Sequence, residues 1–183
     1  MNITSSSIPD VLIIEPQIFG DSRGYFYESY NKKQFDKKLR HIDFVQDNES
    51  KSSFGVVRGM HFQRPPFAQS KLVRVIKGSV YDVVLDLRKS SPTFLQSFGI
   101  ELNETNKKML FIPKGFAHGF AVLSKEAVFS YKVDNYYSPE NDAGINIFEE
   151  KLNINWQIEK HQMILSDKDK ALPYLNDIDS LFE

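Results

Sequence analysis

The chain has 183 residues, the length of one ordinary domain, and a chain of this size buries roughly 70% of the surface its unfolded form exposes. Hydrophobic residues at 41% and charged residues at 26% describe a globular chain and not a disordered one. The absence of cysteine excludes a disulfide scaffold, a thiolate metal site and a cysteine nucleophile, and a net charge of −1 gives no global pull toward nucleic acid or anionic lipid.

Met1 to Asp10 is polar, with Ser5, Ser6 and Ser7 in a row. It lacks the basic-then-apolar profile of a secretory signal, and no later window approaches 18 apolar residues, so a cytoplasmic location without membrane contact is expected. Short apolar runs broken every 8 to 12 residues by turn formers predict an all-β sandwich or barrel. Val11 to Ile14 reads as a first strand, Gly20 to Gly24 as a turn, and Tyr25 to Ser29 as extended chain. Phe35 and Leu39 at i, i+4 predict a helix over 31–39.

Strand signals dominate from Phe54 to Gly119. The runs 56–63, 71–76, 79–88, 98–102, 108–112, 116–123 and 128–133 are each closed by turn formers. In the run 79–88, Tyr81, Val83, Leu85 and Leu87 share one face, which reads as core. Val80, Asp82, Val84 and Asp86 share the other, which reads as the lining of a polar cavity. Beyond Tyr137 the pattern weakens: Ile145 to Phe148 suggests a short edge strand, and 152–156 and 166–175 irregular or short helical pieces. No linker divides the chain, so one domain over 1–183 is expected.

Several residues could carry chemistry. His61 lies on a strand two residues after Gly59, a glycine suited to a bulge. By strict alternation Arg58 and His61 face opposite sides, unless Gly59 inserts such a bulge. His118 stands between Pro113-Lys114-Gly115 and Gly119. His41 and His161 read as solvated surface. No histidines form a metal-binding pair in sequence, so the spacing does not demand a metal, and none is expected. Lys71 and Arg74 fall on opposite faces of one strand, so one of them points inward. Phe129 and Tyr131 share a face. Asp82, Asp86 and Asp169 are candidate carboxylates to orient His61, and the residues alone do not choose among them. No phosphate-binding glycine loop and no nucleophilic serine elbow occurs.

Nine stretches in order resemble one known family. They are Asp-Ser-Arg-Gly-Tyr-Phe-Tyr-Glu at 21–28, Phe-Val-Gln-Asp-Asn at 44–48, Gly-Val-Val-Arg-Gly-Met-His-Phe-Gln at 55–63 and Gln-Ser-Lys-Leu-Val-Arg-Val at 69–75. Further along come Asp-Val-Val-Leu-Asp-Leu-Arg at 82–88 with Ser-Pro-Thr at 91–93, Ile-Pro-Lys-Gly-Phe-Ala-His-Gly-Phe at 112–120, Tyr131-Lys132 with Tyr-Tyr-Ser-Pro-Glu at 136–140, Ile-Asn-Trp at 154–156 and Leu-Ser-Asp-Lys-Asp at 165–169. Together they resemble the dTDP-4-dehydrorhamnose 3,5-epimerases, the third enzymes of dTDP-L-rhamnose biosynthesis, a route toward surface polysaccharides.

The resemblance implies a cupin-like β jelly roll with a few short peripheral helices, forming a homodimer with exchanged N-terminal segments and working without metal or cofactor. It implies inversion of C3 and C5 of a dTDP-4-keto-6-deoxy sugar. His61 matches the base, Asp169 its partner, Lys71 the group beside the C4 oxygen and Tyr131 the opposite acid. Arg23, Arg58 and His118 match diphosphate or sugar contacts. Glu28, Gln46, Asn48, Asp142 and Lys168 match further contacts, and Tyr137 the residue stacked on thymine. Asp142 stands where the family commonly has Glu, and Ala143 where many members have Arg. Alternative readings are an epimerase of one carbon of a related nucleotide sugar, and a non-enzymatic sugar- or metal-binding cupin.

Overall fold

A computed structural model describes residues 1–39, 42–178 and 182; His41, expected at the surface, lies outside them. The elements in chain order are β1 (Asn2–Ser5), β2 (Leu12–Glu15), β3 (Phe19–Asp21), β4 (Gly24–Phe26), α1 (Lys32–Leu39), β5 (Gln46–Ser53), β6 (Val57–Gln63) and β7 (Lys71–Lys77). They continue with β8 (Ser79–Asp86), β9 (Ser97–Asn103), β10 (Met109–Ile112), β11 (Phe116–Val122), β12 (Glu126–Val133), β13 (Asp142–Gly144) and α2 (Asp167–Lys170).

Two sheets make the body. One runs β1-β2-β10-β7-β12-β5 and the other β13-β6-β11-β8-β9, while β3 and β4 form a separate hairpin. All strand pairs within them are antiparallel. The expected jelly roll of the cupin kind, with short peripheral helices, is what the chain forms.

Period-2 alternation sorts each strand into an inward and an outward face. The inner faces meet in a core of Val73, Val75 and Phe129 from the first sheet and Val80, Val84, Phe116, Phe120 and Val122 from the second. The outer face of the second sheet carries Val57, Met60, Val83, Leu85, Ala117 and Ala121. Ile145, Ile147, Leu152 and Trp156 from the C-terminal segment cover it. The Trp156 indole N–H donates to the Ile147 carbonyl at 3.4 Å. The outer face of the first sheet carries Ile14, Leu72, Met109 and Phe111, and α1 lays Phe35 and Leu39 on it. Burial of such apolar surface is the main stabilising term.

The structure departs from the sequence reading at three elements. β1 is a strand although three of its four residues are polar; it lies at the outer edge of its sheet, paired only with β2. β5, with the sequence Gln-Asp-Asn-Glu-Ser-Lys-Ser-Ser, carries no apolar residue, yet it pairs along its whole length with β12. The short edge strand expected at Ile145 to Phe148 is instead β13, three residues earlier. Ile145 still exchanges two backbone hydrogen bonds with Met60 of β6, at 2.9 and 3.2 Å, and Ile145 and Ile147 bury their side chains in the outer core. His161 lies in an exposed 3₁₀ turn, Lys160–Gln162, as expected. No helix among the described residues is long and apolar enough to cross a membrane.

Candidate active site

The inner faces diverge at one end and leave a cavity of about 410 Å³, large enough for a small molecule. Its walls include Arg58, His61 and His118 from the second sheet, and Asn48, Lys71 and Tyr131 from the first. Tyr137, Asp142, Lys168 and Asp169 stand around the same space.

β6 and β11 explain how two residues three apart come to face one way. His61 pairs with His118, but Arg58 pairs with Phe120, so β6 spends three steps where β11 spends two. The extra residue is a bulge of the kind the sequence left open. Gly59 sits in it at φ 137°, and a Cβ there would stand 2.6 Å from the Gly119 Cα. Both strands therefore need glycine at the contact. The result turns Arg58 and His61 together into the cavity.

His61 Nε2 lies 2.7 Å from Asp169 Oδ1. The partner comes from α2, 108 residues away in sequence, which is why spacing could not select it. An ionised carboxylate only accepts, so Nε2 carries the hydrogen and Nδ1 holds the lone pair. That Nδ1 is buried without a hydrogen-bond partner. Burial alone would push the Asp169 carboxyl up. The donors His61 and Ser166 and the Gly59 backbone N–H outweigh this and hold it below its ordinary value.

A second pair stands beside the first. His118 Nε2 lies 3.0 and 2.9 Å from the two oxygens of Asp82, a residue with 0% exposure. Here burial dominates and pushes the carboxyl up, against the pull of His118 and Lys71. Sequence reading weighed Asp82 only as a partner for His61. The signal that could have placed it was the shared register of Asp82 and His118 with the inward residues Val84 and Phe120.

Lys71 and Arg74 divide as alternation requires. Lys71 enters the cavity, and Arg74 turns outward, donating from Nη1 to the Tyr27 hydroxyl at 3.0 Å. Crowding by protein pushes the Lys71 ammonium down to about 8, with Asp142 and Asp82 pulling the other way. Tyr131 sits on the adjacent strand, opposite Val73 of β7 and Asn48 of β5. Burial raises its phenol pKa, and the Arg58 charge partly opposes this. His61 and Tyr131 thus reach the cavity from opposite sheets.

At the mouth, Asp142 accepts from Lys168 Nζ and from the Tyr137 hydroxyl, the latter at 3.1 Å. Arg58 donates from Nε to Ser52 Oγ at 3.1 Å, across the gap between the sheets. Three residues matched from sequence do not line this cavity. Arg23 lies on the exposed β3–β4 hairpin, paired with Asp21. Glu28 accepts from Asn31 and Gln34. Gln46 donates to Asn48 at 2.8 Å. Among the described residues no group of three His, Cys, Asp or Glu is arranged to hold a metal ion. Asp86, the remaining candidate carboxylate, is at the far end of β8 and binds Arg88, Ser91 and Thr93.

Comparison with known proteins identifies the family. The dTDP-4-dehydrorhamnose 3,5-epimerase family model matches residues 5–177. The dTDP-4-dehydrorhamnose 3,5-epimerase of Shigella flexneri is 52% identical over 170 residues, 92% of this chain and 93% of that protein. A crystal structure of the enzyme of that name from Elizabethkingia anophelis superposes with a TM-score of 0.94 at 47% identity, covering 98% of this chain and 99% of the other. The dTDP-6-deoxy-D-glucose-3,5-epimerase of Legionella pneumophila, solved in complex with dTDP-4-keto-L-rhamnose, gives 0.93 at 47% identity over 97% of this chain and 94% of the other. The chain belongs to the dTDP-4-dehydrorhamnose 3,5-epimerase family.

Proposed function

We propose that this cavity binds a dTDP-linked 4-keto-6-deoxy sugar and inverts C5 and C3 by moving protons alpha to the C4 ketone. The observation that carries the reading is His61, paired with Asp169 of α2, entering the cavity from one sheet, with Tyr131 and Lys71 entering it from the facing sheet. Carbon acids alpha to a ketone need a base, an electrophile at the oxygen and an acid on the other face.

In this reading the neutral His61 imidazole, oriented by Asp169, takes the C5 proton. The C–H electron pair moves into an enolate whose charge rests on the C4 oxygen. The Lys71 ammonium stabilises that oxygen, and a desolvated cation does so more strongly than a hydrated one. The Tyr131 phenol then gives its proton to C5 from the opposite face, and the ketone re-forms. Its raised pKa keeps the phenol protonated at neutral pH. His61 and Tyr131 regain their starting protonation through solvent. The same cycle at C3 completes the conversion.

Arg58 and His118 serve the diphosphate or the sugar, and Asn48 the sugar-nucleotide from β5. Tyr137, with Asp142 and Lys168 beside it, offers a stacking face for the base at the mouth. The hairpin exposes Phe19, Tyr25 and Phe26 at 56%, 60% and 66%, far above what a lone surface favours. A homodimer with exchanged N-terminal segments accounts for that surface and carries Arg23 and Glu28 toward the partner's cavity. Gln46 contributes by fixing the Asn48 amide. The chemistry uses side chains alone and needs no cofactor or metal. A cytoplasmic location follows from a sugar-nucleotide substrate.

The test is solvent exchange. In deuterated water the native enzyme places deuterium at both C3 and C5, read by proton NMR. Label at C3 alone selects an epimerase of one carbon, and label at neither refutes the reading.

A further inference from the structure

Asp169 gives each oxygen a separate donor. Oδ1 faces His61 Nε2 at 2.7 Å, and Oδ2 accepts from Ser166 Oγ at 2.6 Å. Ser166 Oγ in turn accepts the Asp169 backbone N–H at 3.1 Å, at the N-terminal cap of α2. The carboxylate is 5% exposed, so water does not replace a missing donor readily.

We propose that Ser166 is a positioning residue for the epimerisation: its hydroxyl locks the Asp169 carboxylate so that the His61 ring is held in one orientation. The physical reason is the softness of the carboxylate torsion. The terminal χ2 of aspartate is broad, so one hydrogen bond leaves the group free to swing. A donor on each oxygen removes that freedom. The same helix is tethered a second time, since Lys168 pairs with Asp142 of β13. α2 is thereby held to β6 through His61 and to β13 through Asp142, and a base placed to within a fraction of an ångström is what proton transfer requires.

A serine in this position also caps a helix, and a cap is the plainer role. The two roles need different chemistry. A cap needs only an oxygen that accepts the Asp169 N–H. Positioning needs a hydroxyl that also donates to Oδ2. Ser166→Thr keeps both, Ser166→Asp keeps the acceptor and loses the donor, and Ser166→Ala loses both.

The inference rests on His61 and Asp169 being the base pair proposed above, so His61→Asn is assayed in parallel. Solvent exchange at C3 and C5, kcat against pH and thermal unfolding are measured for each variant. The expected result is a kcat about tenfold or more lower in Ser166→Ala and Ser166→Asp, the loss of one hydrogen bond to a charge, with Ser166→Thr near native. The acidic limb of the Ser166→Ala profile moves to higher pH, because a carboxylate short of a donor holds the His61 proton more tightly. If Ser166→Ala does not fold, the comparison of Thr with Asp decides by the same criterion. The inference is overturned if Ser166→Asp matches Ser166→Thr, or if the acidic limb stays in place and only the unfolding temperature falls. Exchange surviving in His61→Asn overturns the base assignment itself; a dead His61→Asn beside a native-like Ser166→Ala overturns the role of Ser166 alone.

Discussion

His61 and His118 are direct cross-strand partners on β6 and β11, and each ring leans on a different buried carboxylate. The two aspartates are pushed in opposite directions. Donors hold Asp169 below its ordinary value, while burial lifts Asp82 above it. Titratable pairs whose environments separate them in this way take separate roles. The Asp169 side suits the base proposed above. The Asp82 side shares its charge with His118 and Lys71, which suits holding an oxygen.

Tyr131→Phe removes the acid and leaves the base. Deuterium then enters C3 and C5 slowly, but the configuration is retained, since the proton returns from the face it left. Inversion at the native rate in this variant, followed by NMR coupling constants, contradicts the role of the phenol. Unfolding temperature changes little, because the ring stays.

Lys71 couples activity to alkaline pH. Its ammonium lies near 8 in the fold against 10.5 in the unfolded chain, so kcat falls as pH rises through about 8, as the charge at the enolate oxygen is lost. The sign for stability is the reverse of a favourable ion pair. The unfolded chain binds this proton more readily, so charging Lys71 opposes folding; the penalty is complete below about pH 8, fades as pH rises from there and is gone above about 10.5. Lys71→Met is therefore inactive and, at neutral pH, more stable to heat than the native enzyme. A lower unfolding temperature in Lys71→Met contradicts this.

Asp86 stabilises the fold at the closed end of β8. Burial pushes its carboxyl up, but the Arg88 guanidinium, with the Ser91 and Thr93 hydroxyls, holds it down at about 2. The folded value lies below the unfolded one of 3.8, so this contribution is complete above about pH 4 and disappears as pH falls toward 2. It amounts to about 2 kcal/mol. Asp86→Asn lowers stability by that order at pH 7 in denaturant unfolding, and the difference from native narrows at pH 2.5. A constant difference across that range contradicts the assignment.

Gly59→Ala tests the bulge. The added methyl meets the Gly119 Cα at 2.6 Å and strains a residue at φ 137°, so stability falls by about 1–3 kcal/mol. Arg58 or His61 must also give way, so kcat drops more than tenfold even where the variant folds. Native kcat with only a lower unfolding temperature separates the bulge from the chemistry.

Much of this arrangement is legible in the sequence. The alternation in β8 put Asp82 and Asp86 on the inner face and Leu85 and Leu87 on the outer one, and the structure keeps both. The helix at 31–39 rests on the spacing of Phe35 and Leu39, which are the two residues α1 buries. β5 was not legible because its inner face lines a polar cavity and its outer face meets water, so neither face shows hydrophobic periodicity. The facing of His61 was open because alternation fails at the bulge beside Gly59. Among three candidate aspartates, only the family resemblance selected Asp169, since contact across 108 residues leaves no local trace. The pairing of Asp82 with His118 was missed although both were already singled out.

His61 is the proposed proton acceptor for both carbons. The most direct measurement is deuterium incorporation by His61→Asn, with dTDP affinity measured on the same sample. The predicted result is loss of exchange at C3 and C5 by about a thousandfold, with dTDP bound within a few-fold of native. Exchange at either carbon near the native rate, in a variant that binds dTDP normally, would contradict it.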